Sequence, residues 1–113
     1  FNKASQVSSK AYKAYYNIGC ILLKKKSYEL AQKNFKMSTK CNKDFPYAYY
    51  NLASCYIAQE QYSKAKRQLV KAISLKADDK DFYINLAYCY KMLGNDKAAQ
   101  KIIDSLNKVK TST

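Results

Sequence analysis

The sequence has no histidine and no tryptophan, a single proline, a single arginine and two glycines. Without histidine, a serine or cysteine nucleophile lacks its commonest general base. Any zinc site would also need all four thiolates of Cys20, Cys41, Cys55 and Cys89, and no two of them have C-x-x-C spacing. Gly19 and Gly94 alone cannot build a glycine-rich phosphate loop. The adjacent carboxylates Asp78 and Asp79 read as a helix start rather than as an acid–base pair. The expectation is no enzyme, no metal and no cofactor. Scarce glycine and proline favour helices over a turn-rich β fold. The longest uncharged run, Phe45 to Gln59, is 15 residues, shorter than the ~20 a spanning helix needs. No signal-peptide pattern is present, and the chain opens on Phe1 rather than Met. Thiols without a disulfide framework suit a cytoplasmic setting.

Acidic residues are scarce too: 8 against 21 Lys and Arg, for a net charge of +13. Such a balance draws acidic partners, nucleic acid or anionic lipid. Lys, Asn, Tyr and Ile also share AT-rich codons, so genome composition is an alternative source of the excess.

What is abundant is tyrosine, with 12 residues, and it recurs in order. The stretch Tyr15-Tyr16-Asn17-Ile18-Gly19-Cys20 returns 34 residues later as Tyr49 to Ser54, and again as Tyr83 to Tyr88. Ala31 recurs as Ala65 and Ala99, Phe35 as Leu69 and Ile103, Tyr28 as Tyr62, and Leu22 as Tyr56 and Tyr90. Tyr15, Ile18, Gly19 and Leu22 follow the i, i+3, i+4, i+7 rule of one helix face, as do their counterparts. A second helix follows in each unit, with the stripes Tyr28–Ala31–Phe35–Ser38, Tyr62–Ala65–Leu69–Ala72 and Ala99–Ile103–Leu106. The small residues Gly19, Ala53 and Ala87, with Ala31, Ala65 and Ala99, let paired helices approach closely. Cys55 and Cys89 read as small packing residues. Gly94-Asn95 predicts a helix end, Asp44 before Pro46 a cap and first turn, and Asp78-Asp79 a helix start.

A helix pair of this size cannot bury its apolar faces alone, whereas stacked pairs form a solenoid. With its 34-residue period and its aromatic, Leu-Gly, Tyr, Ala, Phe, Ala pattern, the chain resembles the tetratricopeptide repeat (TPR) family. The resemblance implies an all-α, right-handed superhelical solenoid of antiparallel helix pairs. Its units are expected at 12–45, 46–79 and 80–113, the last with a polar C-terminal end. The third unit lacks the family's usual proline, and Asp96 stands where an aromatic is common. Phe1 to Ser5 aligns with Phe35 to Thr39 and Leu69 to Ile73. Residues 1–11 are therefore expected to be the tail of a preceding repeat's second helix, in a chain cut from a longer array.

The face of each first helix left after the core stripe is poor in charge and rich in tyrosine. It carries Lys13, Tyr16, Asn17 and Cys20, then Tyr47, Tyr50, Asn51 and Ser54, then Asp81, Ile84, Asn85 and Tyr88. Aromatic strips of this kind are contact surfaces. The resemblance implies that first helices line a concave groove that holds an extended peptide or a partner's helix. These twelve residues are the candidate binding set. In related arrays an asparagine ladder hydrogen-bonds the ligand's backbone, a task for Asn17, Asn51 and Asn85; the alternative is a bond to a neighbouring helix. Tyr16, Tyr50 and Tyr88 either wall the groove or pack against the next repeat. The two-carboxylate clamp of chaperone-binding relatives is not matched. Only Asn51 fits it, while Tyr16, Cys20, Asp81 and Asn85 stand where Lys, Asn, Lys and Arg would be.

Lys33, Lys36, Lys40, Lys64, Arg67, Lys71, Lys97 and Lys101 fall on second helices, outside the core stripe. They predict a basic convex face, either merely solvated or binding nucleic acid or anionic membrane. Self-association through exposed apolar array ends is a third reading.

Overall fold

A computed structural model of the chain describes residues 10–111. Among these, six helices and no strands are found. They are α1 (Tyr12–Lys24), α2 (Tyr28–Cys41), α3 (Pro46–Ala58), α4 (Tyr62–Leu75), α5 (Lys80–Met92) and α6 (Asp96–Thr111). First helices begin at 12, 46 and 80 and second helices at 28, 62 and 96, so the 34-residue period of the sequence is the period of the helices. Each helix packs on the next in sequence, and α1 also touches α3. The result is an all-α solenoid of stacked helix pairs. Its extents are 48 × 29 × 21 Å and its radius of gyration is 15.3 Å, against ~13 Å for a compact chain of this length.

The turn inside each pair is built the same way three times. Lys26, Glu60 and Gly94 all take positive φ, at 64°, 60° and 84°. The amide of the next residue then reaches back to a carbonyl five residues earlier: Ser27 to Leu22, Gln61 to Tyr56, Asn95 to Tyr90. A shorter bond inside it joins Lys26 to Leu23, Glu60 to Ile57 and Gly94 to Lys91. This double closure satisfies carbonyls that a helix C-terminus leaves open. Sequence marked this turn only at Gly94. Asn95 has a second use, accepting from the Ala98 amide at 3.2 Å to cap α6.

The turns between pairs differ. Asp79 caps α5 by accepting from the Asp81 amide at 3.0 Å. The expected cap at Asp44 does not form: Phe45 is the N-cap of α3, with no side-chain bond. Asn42 instead accepts from the Asp44 amide and turns the chain before Pro46. Tyrosine hydroxyls tie these loops down. Tyr49 donates to the Lys43 carbonyl at 3.1 Å and Tyr83 to the Ala77 carbonyl at 2.7 Å.

The core runs along the array between the helix pairs. Ala31, Phe35, Ala53, Cys55, Ala65, Leu69 and Cys89 are fully buried in it, each large apolar side chain contributing ~2 kcal/mol or more. Ser38, at the position of Ala72, is buried too and donates to the Tyr12 carbonyl at 2.9 Å. Two stripe positions depart from expectation. Ile18 is 46% exposed and Ile103 39%, while their counterparts Leu52 and Leu86, Phe35 and Leu69 are buried. The cause is position: no described pair precedes α1 or follows α6. The predicted tail at 1–11 lies, up to residue 9, outside the described residues.

Candidate functional site

The twelve candidate residues do stand on one side of α1, α3 and α5, but they divide into two groups. One group bridges consecutive repeats. The half-buried ring of Tyr16 packs tilted on Phe35 at 5.8 Å and edge-on to Phe45 at 4.9 Å. Its hydroxyl accepts from Asn51 Nδ2 at 2.9 Å, and the same nitrogen lies 3.8 Å from Cys20 Sγ. Burial first, and then Cys20, push the Tyr16 phenol up to about 12. One unit on, Tyr50 packs on Phe82 at 5.0 Å, with Asn85 as a polar neighbour of its phenol. Burial first, and then Asp81, raise its pKa, while Asn85 acts to lower it. Tyr50 and Asn85 occupy the repeat positions of Tyr16 and Asn51. Ser54 turns its hydroxyl back to the Tyr50 carbonyl at 3.2 Å. Of the two readings of the asparagines, Asn51 follows the bond to a neighbouring helix. Tyr16 and Tyr50 likewise follow packing between repeats.

The second group is open. Lys13, Asn17 and Asp81 are exposed, and so are Tyr47 at 36%, Tyr88 at 45% and Ile84 at 52%. Ile84, Ile103 and Leu106 border hollows of about 390 and 240 Å³ at the α5–α6 end, and Tyr88 borders the smaller one. Tyr88 meets Tyr62 edge-on at 5.9 Å. A larger cleft of about 510 Å³ lies elsewhere, between the α4–α5 loop and α6, with Lys80, Tyr83 and Lys101 in its wall.

Sequence reasoning missed Phe45 and Phe82. They complete an aromatic belt across the starts of the first helices. Ring centroids are 5.1 Å apart for Tyr12–Phe45, 5.7 Å for Phe45–Tyr47 and 5.9 Å for Tyr47–Phe82. Phe45 precedes α3, and Phe82 stands where the second unit has Ala48, so neither follows the repeat. The signal that could have found them was plain aromatic content next to the predicted helix starts.

Chemically, the surface offers ring faces, an exposed amide and few charges. Among the described residues no three His, Cys, Asp or Glu side chains gather as metal ligands. Cys20, Cys41, Cys55 and Cys89 are free thiols.

Family models of the tetratricopeptide repeat match residues 12–44, 34–67 and 58–111. The chain belongs to the tetratricopeptide repeat family. Among curated proteins none matches the sequence significantly. Among solved structures it resembles MamA from Desulfovibrio magneticus RS-1, with 24% identity and a TM-score of 0.84 over 99% of this chain and 67% of that one. The second TPR of Spaghetti (RPAP3), bound to an HSP90 peptide, shares 18% identity at a TM-score of 0.84, over 90% and 94% of the two chains. The Arabidopsis OM64 TPR domain shares 16% identity at a TM-score of 0.86, over 94% and 88%. At these identities the likeness is one of fold.

Proposed function

We propose that this TPR array is a protein-interaction module that holds a peptide or an extended partner segment along its first helices. Family and fold support the module, and two TPRs of RPAP3, similar in fold, hold an HSP90 peptide. The observation that carries the groove is the open group. Tyr47, Ile84 and Tyr88 are exposed on a face with little charge, where a merely solvated helix would be charged. Tyr16, Tyr50 and Asn51 hold the repeats at a fixed spacing, and the ligand meets Lys13, Asn17, Tyr47, Ile84 and Tyr88. A clamped chaperone tail is disfavoured as ligand, because Tyr16, Cys20, Asp81 and Asn85 stand where the clamp would need Lys, Asn, Lys and Arg, and the one matching amide, Asn51, is engaged by Tyr16.

Selection from a random peptide display library at ~300 mM salt tests the reading. Peptides should emerge that bind the wild-type chain and lose at least about tenfold affinity, ~1.4 kcal/mol, with Asn17→Ala plus Tyr88→Ala. Both positions are exposed, so the fold survives. No enrichment, or equal affinity for the double variant, would count against the groove.

A further inference from the structure

The groove leaves most of the charge unexplained. Several of the few anions have local tasks: Asp78 pairs with Lys76 at 3.1 Å, Asp79 caps α5, and Asp104 accepts from Gln100. The cations concentrate on the second helices. Lys33, Arg67 and Lys101 occupy one repeat position on α2, α4 and α6, and all three are exposed. Around them on α2 and α4 stand exposed Lys36, Lys40, Lys64 and Lys71, against Glu29 as the one acid of these two helices. Lys64 and Lys71 lie over the rings of Tyr56 and Tyr49, at 5.9 and 6.0 Å.

We propose that the outer face of α2 and α4 docks on an anionic lipid bilayer. Three features choose lipid over nucleic acid. The cations are lysines but for Arg67, compact point charges rather than the planar forks that read phosphate and base together. The rings of α2 and α4 do not stand out as stacking platforms, since Phe35 is buried and Tyr28 and Tyr62 are half-buried. Most tellingly, apolar side chains stand open among the lysines: Leu30 at 53%, Val70 at 50% and Met37 at 38% exposed. Apolar points within a basic face suit the boundary between headgroups and acyl chains. Because second helices carry this face, the first-helix surface stays free for a partner, and the proposal stands whether or not the groove binds peptide.

Sedimentation with phosphatidylcholine vesicles, with and without phosphatidylserine, provides the test. The chain should pellet only with phosphatidylserine present at ~50 mM salt and largely release at ~300 mM. Each cation near the surface is worth about fivefold in binding, so Lys33→Glu, Lys36→Glu and Arg67→Glu together should weaken it by more than about a hundredfold. Leu30→Ser with Val70→Ser should weaken vesicle binding while leaving any retention on poly(U) unchanged. All five positions are exposed, and a retained helical circular dichroism spectrum certifies the variants. Absence of pelleting at the lower salt, undiminished pelleting of the charge-reversed variant, or retention of poly(U) without vesicle binding would each overturn the proposal, the last in favour of nucleic acid.

Discussion

A Cβ on Gly19 would fall 2.7 Å from Cε1 of Phe35, a ring that is fully buried and cannot withdraw. The same helix crossing in the other units pairs Ala53 with Leu69 and Ala87 with Ile103, so the methyl group appears where the opposing side chain is narrower. Gly19→Ala gains ~1 kcal/mol of helix propensity and meets ~1–3 kcal/mol of overpacking. The expected net is a loss of about 1 kcal/mol and a Tm lower by ~4 °C or more. Phe35→Leu should relieve the clash, so the double variant should be more stable than the two single effects summed. A strictly additive cycle by urea unfolding would sink this account.

The three intra-pair turns make a second comparison. Lys26 and Glu60 hold the left-handed conformation that Gly94 holds in the third unit. A side chain there costs roughly 1–2 kcal/mol, partly offset by the lower entropy of the unfolded chain. Lys26→Gly and Glu60→Gly should therefore each stabilise by about 0.5–1 kcal/mol. Gly94→Ala should destabilise by about as much, through the backbone alone, since nothing lies within 4 Å of its added Cβ. Thermal melts decide, and no rise in Tm for either glycine variant would refute the strain.

The period made most of this architecture legible. Gly19, Ala31, Ala53, Ala65, Ala87 and Ala99 repeat, and they are the close crossings. Features that break the period were invisible to it. Phe45 and Phe82 have no counterparts, yet they link Tyr12, Tyr47 and Tyr50 into one belt. Ile18 and Ile103 obey the pattern and still lie open, because burial in a solenoid depends on the neighbouring pair rather than on the residue. The candidate site was half legible. Its face was evident, but which amides were already engaged depended on a partner 35 residues away.

The rung formed by Tyr16 and Asn51 is measurable. Asn51 donates to the Tyr16 hydroxyl at 2.9 Å in a half-buried setting, which is worth ~0.5–1.5 kcal/mol. Tyr16→Phe and Asn51→Ala should each destabilise, with a coupling of at least ~0.5 kcal/mol in the double-mutant cycle. Because the rung joins consecutive repeats, the singles should also loosen the boundary between the first two units, seen as faster amide exchange in α1 than in α5. Zero coupling would mean that the two side chains act independently.

Alkaline stability follows from groups that the fold keeps neutral. Burial pushes the Cys55 thiol up to about 12 and the Cys89 thiol up to about 11, from an ordinary 9.0. Both side chains are fully buried. The unfolded chain therefore releases these protons first, and stability falls as pH rises above ~9. The loss continues until the folded thiols ionise near 11–12; below pH ~9 these groups contribute no slope. Cys55→Ala with Cys89→Ala should lower stability at every pH by leaving small cavities, but should flatten the fall between pH ~9 and ~11. Urea unfolding under reducing conditions at several pH values separates the two effects. A double variant that starts lower and falls as steeply as wild type would show that other groups govern the alkaline limb.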